Sequence, residues 1–406
     1  MKLKLRIKVS RSIPRLDLNL LFLIFFFFGI GTSSIDPLLP IISIELGRGY
    51  SLIGIILFVG LFFLLVSNIV VGRLCDKYDI KKILVISFIL IIISSLAFGT
   101  YINLIIFILF IIIIRIGYGG LDTSVYAYVC KFFYKERSQI FVKLNLLWYL
   151  GCVVGPLFIS GELLLKINPR YSFLLLAVSF GVLTILFVRT GVRKVQKQDN
   201  FADYPEKNTT RIFDLLKNPV ILVTCLLQFF YSASVFGLTS WLTTYFAALN
   251  IQVLIGSSIL SIYWLSSIAG LLIISHLLKK ISEIKVVFFS YLLGLFCMAA
   301  VTFLQPIYLK IIFLVLQGVL LSGIFPLSKS IPVEEKPELF GTILGLVLTF
   351  SGMGIMVFQP ILGYIAEHKG GGSIIYALLI SLSIGFVFAS ILYILKSKRK
   401  HLSTNS

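Results

Sequence analysis

The sequence predicts an all-α membrane protein, with twelve transmembrane helices arranged as two pseudo-symmetric bundles of six. Hydrophobic residues make up 58% of the 406 positions and charged residues only 13%, whereas soluble proteins are roughly 45–50% apolar. The mean hydropathy is +1.03. Apolar stretches of about 20 residues, the length that spans a bilayer as a helix, recur along the chain. The longest polar stretch lies near the middle and separates six of these stretches from six others.

Each of the twelve apolar segments is long enough to form a transmembrane helix. They occupy residues 16–44, 52–71, 83–101, 104–129, 140–161, 172–188, 219–249, 254–278, 286–304, 310–328, 340–366 and 373–395. The first segment starts like a signal peptide, since basic residues precede it. Its apolar run is much longer than the core of a signal peptide and no small-residue cleavage site follows, so we interpret it as the first membrane helix.

The polar stretch divides the chain into two predicted domains. Residues 1–188 form an N-terminal six-helix bundle, 189–218 a cytoplasmic linker, and 219–406 a C-terminal six-helix bundle with a short basic tail. The fifth and eleventh segments are both rich in glycine and contain Pro156 and Pro360, which are separated by close to half the chain. Parallel repeats of this kind place a solute site between the halves, near the middle of the membrane.

The basic residues are distributed asymmetrically between the two sides of the membrane. If the N-terminus is cytoplasmic, 30 of the 36 Lys and Arg residues fall on the cytoplasmic side, 5 fall outside, and Arg115 lies within a segment. This bias follows the positive-inside rule and predicts a multi-pass protein of the cell membrane with both termini in the cytoplasm. The net charge of +19 therefore reflects topology. The predicted macromolecular environment is the lipid bilayer, and nucleic acid is not a predicted partner.

Three charged residues stand well inside the apolar segments, away from their ends, namely Asp36, Arg115 and Asp122. A charge in hydrocarbon is costly and usually marks an ion or solute pathway. An apolar environment also favours the neutral form of a carboxyl group, which suits it to carry protons near neutral pH. Arg115 and Asp122 are nearly two helical turns apart on one face, so we expect them to share a water-filled cavity. We predict that all three take part in proton coupling.

The loop after the second segment contains a recognisable motif. The sequence GRLCDKYDIKKIL (72–84) resembles the signature loop of the major facilitator superfamily, G-x-L-a-D-r-x-G-r-k-x-x-l. The superfamily has the twelve-helix, two-bundle fold predicted above, which implies secondary transport. The resemblance assigns Gly72, Asp76, Lys77 and Lys81 to a conformational gate at the cytoplasmic rim.

Two further stretches resemble the fucose permease branch of sugar–proton symporters. These are SSIDPLLPI in the first segment and GYGGLDTSVYAYV in the fourth, similar to the branch patterns N-D-x-L-L-P and G-x-G-x-L-[DE]-T. The match gives Asp36 and Asp122 the positions of the branch's two membrane carboxylates, which handle protons and sugar. Ile35 and Tyr126 stand where the branch has asparagine.

A second interpretation remains open. The stretch IIIIRIGYGG resembles a fourth-helix pattern found in many proton-coupled members of the superfamily, drug exporters included, in which Arg115 precedes Gly119 by four. Gly151, Gly155 and Pro156 also match part of the antiporter motif G-x-x-x-G-P-x-x-G-G. The alternative function is therefore a proton-coupled exporter of drugs or other hydrophobic compounds.

Candidate solute contacts are amides and aromatic rings within the segments. A sugar site needs hydrogen-bonding groups together with flat apolar faces, and an unpaired amide is costly in an apolar interior. The candidates are Asn145, Trp148, Tyr149, Gln228, Tyr231, Trp241, Tyr245, Trp264, Gln317 and Gln359. Each aromatic ring could instead serve packing or an interfacial belt.

The predicted function is proton-coupled symport of a small polar solute, such as a sugar, by alternating access. Sodium remains open as the coupling ion, and the direction of transport is also open. No catalytic constellation or metal-ligand spacing appears in the sequence, so we predict neither an enzyme nor a cofactor. The predicted partners are the small-molecule solute and protons, and we expect a monomer.

Overall fold

The computed structural model describes residues 15–133, 137–189, 212–336 and 339–404. The basic residues 1–14 and most of the predicted central linker lie outside these ranges. Within them, twelve helical segments are long and apolar enough to cross a membrane, as the sequence predicts.

The first half of the chain forms six membrane segments from seven helices. They are α1 (Arg15–Ser33), α2 (Leu39–Leu46), α3 (Tyr50–Lys77), α4 (Ile80–Thr100), α5 (Leu104–Phe132), α6 (Arg137–Leu164) and α7 (Tyr171–Arg189). The first segment is broken between α1 and α2 by a 3₁₀ turn over Asp36–Leu38. Pro37 and Pro40 explain the break, because a proline lacks the N–H that continues an α-helix.

The second half has a similar layout after a short helix, α8. Its helices are α8 (Ile212–Leu216), α9 (Pro219–Ala248), α10 (Val253–Leu277), α11 (Glu283–Phe303), α12 (Ile307–Leu321), α13 (Ile324–Ser330), α14 (Phe340–His368) and α15 (Ile374–Thr404). The tenth segment is interrupted between α12 and α13 and ends in a 3₁₀ turn over Ile331–Glu335.

The boundary of the tenth segment corrects the sequence prediction. The sequence predicts that the segment ends at residue 328, which places Lys329 in the following loop. In the structure the apolar span runs over Ile307–Glu335 and contains Lys329. The break between α12 and α13 redirects the chain without ending the segment, and a hydropathy profile does not reveal such a bend.

Two glycine contacts show the same helix packing in both halves. An added Cβ at Gly151 of α6 would overlap the carbonyl oxygen of Phe26 in α1. An added Cβ at Gly354 of α14 would overlap the carbonyl oxygen of Phe229 in α9. The two glycines have the same separation in sequence as the two phenylalanines. Small residues let membrane helices approach this closely, so the two bundles share one packing scheme, as expected for a repeat.

The bundles meet along a defined set of helices. Contacts between them run mainly along α3 with α14, along α6 with α10, and between α9 and the turn at Asp36–Leu38. One end of the molecule contains the first and last described residues, and we call it the terminal end. The opposite end, where α2 leads into α3, is the distal end. The interior between the bundles is where the predicted site residues are found.

Candidate functional site

Arg115 lies beside Asp36 in the N-terminal bundle. Asp36 occupies the turn between α1 and α2, and Arg115 lies on α5 with its side chain against Gly60 of α3. The carboxylate and the guanidinium interact electrostatically. Their charged atoms do not approach within 4.0 Å, since no ion pair joins these two described residues. Arg115 Nε is buried and has no hydrogen-bond partner.

Asp122 interacts with a cation other than Arg115. The spacing on α5 suggests that Arg115 acts on Asp122, yet the cation that interacts with Asp122 is Lys329 of α13. Asp122 belongs to the N-terminal bundle and Lys329 to the C-terminal bundle, so this couple crosses the interface. Both side chains are only partly buried. Asp36 with Arg115 and Asp122 with Lys329 thus form two couples. The sequence does not point to Lys329, because the tenth apolar segment is predicted to end one residue before it.

A chain of polar contacts connects Asp36 to the opposite bundle. Ser240 on α9 lies near the Asp36 carboxylate, across the interface. Ser240 in turn accepts a bond of 3.4 Å from Gln359 Nε2. Trp241 Nε1 donates to Gln359 Oε1 at 2.7 Å. The predicted solute contacts Trp241 and Gln359 thus bond to each other and hold a serine against Asp36.

Aromatic side chains surround a small cavity between α6, α9, α10 and α12. It is lined by Tyr149, Tyr231, Val235, Phe236, Tyr263, Trp264, Ser267, Gly318, Leu321 and Ser322. The cavity has room for about one water molecule. Only Tyr149 of these lining residues comes from the N-terminal bundle, so a sugar-sized solute would require the bundles or these side chains to move apart.

Four predicted solute contacts are brought together here, namely Trp148, Tyr149, Tyr231 and Trp264. The ring of Trp264 lies 5.7 Å from both Trp148 and Tyr149, centroid to centroid. The indole nitrogens of Trp148 and Trp264 are buried and have no hydrogen-bond partner. A buried unpaired donor is costly, so these groups are available to a solute. Tyr231 differs, because its hydroxyl donates to the carbonyl of Leu321 at 3.1 Å.

Other predicted contacts have structural partners. Gln228 is fully buried and bonds to three serines on α9, α13 and α14. The ring centroid of Tyr245 lies 6.0 Å from the ammonium of Lys310. Asn145 donates to the hydroxyl of Tyr126 at 3.3 Å and to the carbonyl of Phe141 at 2.8 Å. These residues are accounted for by packing within one bundle.

Gln317 combines burial with an unsatisfied acceptor. It is 1% exposed, and its Oε1 has no hydrogen-bond partner. The neighbouring Gly318 lines the cavity, and an added Cβ there would meet the hydroxyl of Ser266 and the carbonyl of Tyr263. Gln317 therefore remains a candidate solute contact.

The predicted gate residues lie at the terminal end of α3 and the start of α4. Lys81 Nζ donates to the carbonyl of Val188 at 3.3 Å, within the N-terminal bundle. Lys77 is exposed, and Gly72 lies near Thr123 of α5. The side chain of Asp76 is outside the described part of the structure. The gating role of these four residues stays a prediction.

The distal end carries a seal that the sequence did not reveal. The backbone N–H of Ser51, in the first turn of α3, donates to the Glu367 carboxylate at 2.7 Å. Gly49 leaves space for this carboxylate, since an added Cβ would overlap it. A second contact at the distal end joins Ser160 of α6 to Ser257 of α10, whose hydroxyl oxygens lie 2.5 Å apart. Both bonds join opposite bundles and so hold them together at the distal end.

The comparisons with known proteins agree with this architecture. The family model described as Major Facilitator Superfamily matches residues 21–357 and 253–406. The crystal structure of the nucleoside transporter NupG superposes with a TM-score of 0.76 and 18% identity, covering 93% of this chain and 98% of NupG.

A bacterial homolog of the human lysosomal transporter Spinster, in an inward-facing and occupied conformation, superposes with a TM-score of 0.72 and 15% identity, covering 96% and 98% of the two chains. No protein with a curated description matches the sequence. Identities this low show a common fold. Together with the family match over most of the chain, they identify this membrane protein as a transporter rather than an enzyme, and the chain belongs to the Major Facilitator Superfamily.

Proposed function

We propose that the protein takes up a small polar organic solute by proton-coupled alternating access. The observation that carries the proposal is the pair of carboxylates at the bundle interface, Asp36 and Asp122, each with one cation nearby. Charges are retained inside a membrane protein mainly where ions or solutes pass. A proton on either carboxylate would weaken its couple and change the cost of moving one bundle relative to the other.

Asp36 is suited to couple protonation to the distal seal. Its carboxylate lies near Ser240 across the interface, and Ser240 is held by Gln359, which is itself bonded to Trp241. Tyr50, beside the Glu367 contact, packs on the Trp241 ring at 5.9 Å. Loss of the carboxylate charge would weaken the attraction between Asp36 and the polar groups of this chain. The distal end would then open more easily to collect solute.

The sugar-like character of the solute is supported by two kinds of observation. The aromatic cavity presents flat faces, and the unpartnered indole nitrogens of Trp264, which lines it, and of Trp148, which packs on Trp264, lie close by. NupG, which has the same fold, is a nucleoside transporter, and a nucleoside contains a sugar. The resemblance of the Asp36 and Asp122 stretches to the fucose permease branch agrees with a sugar or a similar molecule.

The proposed topology has both termini in the cytoplasm. The excess of Lys and Arg at the terminal end supports this orientation in the cell membrane. The sealed distal end would then face the outside. On this assignment, uptake begins when the seal at Ser51 and Glu367 opens.

The experiment is solute uptake into proteoliposomes under an imposed pH gradient. A panel of hexoses, sugar acids and nucleosides is tested with the wild type, Asp36→Asn and Asp122→Asn. We expect gradient-driven accumulation of at least one solute, and loss of that accumulation in both variants. Asp214→Asn makes the same change on α8, outside the membrane segments, and is expected to keep wild-type uptake. Unchanged coupled uptake in both interior variants would refute the mechanism.

Export of hydrophobic compounds is the second candidate. The aromatic lining of the cavity favours it, because five of the ten lining residues are Tyr, Phe or Trp. The same vesicles separate the two functions by direction and chemistry. Export is favoured if lipophilic dyes move in the direction opposite to that proposed for symport and no hexose, sugar acid or nucleoside is taken up. Replacing the pH gradient by a sodium gradient tests the coupling ion.

A further inference from the structure

Lys329 is a cation that the C-terminal bundle contributes to the interface between the bundles. It lies on α13, inside the apolar span Ile307–Glu335. Its side chain is only partly buried. A lysine within a membrane segment carries a cost of several kcal/mol on insertion scales and is a functional candidate by default.

The position of Lys329 is fixed by its neighbour in sequence. Ser328 donates to Gln228 Oε1 at 2.5 Å. The Gln228 amide nitrogen donates to Ser232 at 3.2 Å and to Ser351 at 3.4 Å. This network ties α13 to α9 and α14. Gln228 is therefore a positioning residue for Lys329.

The ammonium of Lys329 is connected to the aromatic cavity by a row of aromatic rings. Its Nζ is 3.6 Å from the centre of the Phe325 ring. Phe325 lies 6.1 Å from Phe236, which lies 6.3 Å from Trp264. Phe236 and Trp264 both line the cavity. A continuous row of rings thus connects the cation to the unpartnered indole groups.

The hydrogen-bonding capacity of the ammonium is unused. Lys329 interacts with Asp122 across the interface, but no ion pair within 4.0 Å joins these two described side chains. Nor does Lys329 Nζ form a hydrogen bond with any residue in the described ranges. A lysine ammonium carries three hydrogen-bond donors, and here its one close contact is the face of the Phe325 ring.

Donors outnumber acceptors among the unsatisfied groups that the structure describes near the cavity. The unpartnered atoms include Trp148 Nε1, Trp264 Nε1 and the Tyr263 hydroxyl, against the acceptor Gln317 Oε1. Lys329 adds a charged donor. A solute that matches this set is rich in acceptor oxygens, and a carboxylate offers about four lone-pair sites on two oxygens.

Charge balance points to the same class of solute, on the basis of the proton coupling proposed above. The groups that interact with Asp122 are Lys329 of α13 and Tyr126 one turn along α5, and Tyr126 is hydrogen-bonded to Asn145. When Asp122 takes up a proton, Lys329 loses its counter-charge inside the membrane. A solute with one negative charge would restore neutrality.

We infer that the transported solute is a small polar monoanion, such as a sugar acid, and that Lys329 is the residue that selects its carboxylate. Phosphorylated sugars share the anionic chemistry but carry more charge than one lysine balances. Neutral sugars would leave the ammonium unpaired in the loaded state. The preferred order of solutes is therefore carboxylate, then phosphate, then neutral sugar.

The test compares three probes of one ring type, namely glucuronate, glucose 6-phosphate and glucose. Equilibrium binding to the purified full-length protein is measured for the wild type, Lys329→Gln, Lys329→Arg and Lys280→Gln. We expect glucuronate to bind at least tenfold more tightly than glucose to the wild type. Lys329→Gln should abolish this preference and Lys329→Arg should keep it. Lys280→Gln removes the same charge from an exposed position of the same bundle and should behave like the wild type.

A further variant separates this inference from the proposed function. Asp122→Asn mimics the protonated carboxyl and frees Lys329, so it should bind glucuronate more tightly while losing proton-driven uptake. Equal or tighter binding of glucose, an unchanged preference in Lys329→Gln, or no binding of any probe would overturn the inference. Proton-driven uptake of a neutral sugar would overturn it and leave the proposed function standing. Carboxylate binding without any proton-driven uptake would support this inference and overturn the proposed function.

Discussion

The two bundles share a packing scheme but differ in what their polar groups do. In the N-terminal bundle, Asp36, Arg115 and Asp122 lie at the interface, and Arg115 and Asp122 form no hydrogen bond with another described residue. In the C-terminal bundle, Gln228 and Gln359 are buried and bonded to neighbours. The first set is available to a proton or a solute, whereas the second set holds helices together. Availability, rather than burial, therefore distinguishes the candidate functional groups.

One pair of equivalent positions shows how the bundles diverged on the same scaffold. In the N-terminal bundle Gly29 packs against the carbonyl of Trp148, so the backbones of α1 and α6 touch. The equivalent positions in the C-terminal bundle are Ser232 and Ser351, whose hydroxyls bond at 2.6 Å. One half uses close backbone contact where the other uses a hydrogen bond. Equivalent helices of the two bundles therefore carry different polar groups.

The prediction with the largest expected effect tests the charged residues of the N-terminal bundle. Arg115→Gln should lower proton-driven uptake at least about 100-fold, because the Asp36 carboxylate would lose the cation beside it within a membrane segment, where an unpaired charge costs several kcal/mol. The measurement is initial uptake rate in proteoliposomes, with a melting curve to confirm folding. Arg189→Gln, on the exposed end of α7, is the control. Uptake retained in a folded Arg115→Gln protein would show that Asp36 needs no counter-charge.

The next effect tests the shared packing scheme. Gly354→Ala should destabilise the protein by about 1–3 kcal/mol, because the new methyl group would overlap the carbonyl of Phe229. Gly345→Ala, on the same helix, meets no atom within 4 Å and should leave the melting temperature unchanged or slightly higher. Gly151→Ala should mirror Gly354→Ala in the other bundle. Different losses for the two equivalent glycines would mean that the repeat is symmetric in shape but not in energy.

The smallest effect concerns the seal between the bundles. Glu367→Gln replaces a charge-assisted bond to Ser51 by a neutral one, which is roughly half as strong. We expect about a fivefold increase in the fraction of molecules open at the distal end, equivalent to about 1 kcal/mol. The readout is thiol labelling of Ser258→Cys in a background without the native cysteines. Ser258 faces Ser160 in the seal.

The control for this measurement is Glu162→Gln. Glu162 accepts a hydrogen bond from Ser172 at the same end of the molecule, but within the N-terminal bundle. It should leave the labelling rate unchanged. Equal labelling of the two variants would show that the Glu367 contact does not limit opening.

Much of the fold follows from local sequence signals. Twelve apolar runs, the central polar stretch and the basic asymmetry are each readable from a single sequence, since a lipid environment forces every span into a long apolar helix. Asp36 and Asp122 stand out for the same reason. The partner of Asp122 does not, because spacing along α5 relates it to Arg115, whereas Lys329 comes from a helix in the other half of the chain.

For the candidate solute contacts, too, the sequence reveals one part and the tertiary structure the other. Composition identifies amides and aromatic rings, but not which of them are already bonded. Trp148 and Trp264 have unpartnered nitrogens, whereas Trp241 is bonded to Gln359 at 2.7 Å. The sequence itself determined the number of membrane segments, their apolar character and the acidic positions within them, because hydropathy acts residue by residue. Only the tertiary structure decided which charges face each other and which polar groups remain free, because those depend on contacts between helices distant in sequence.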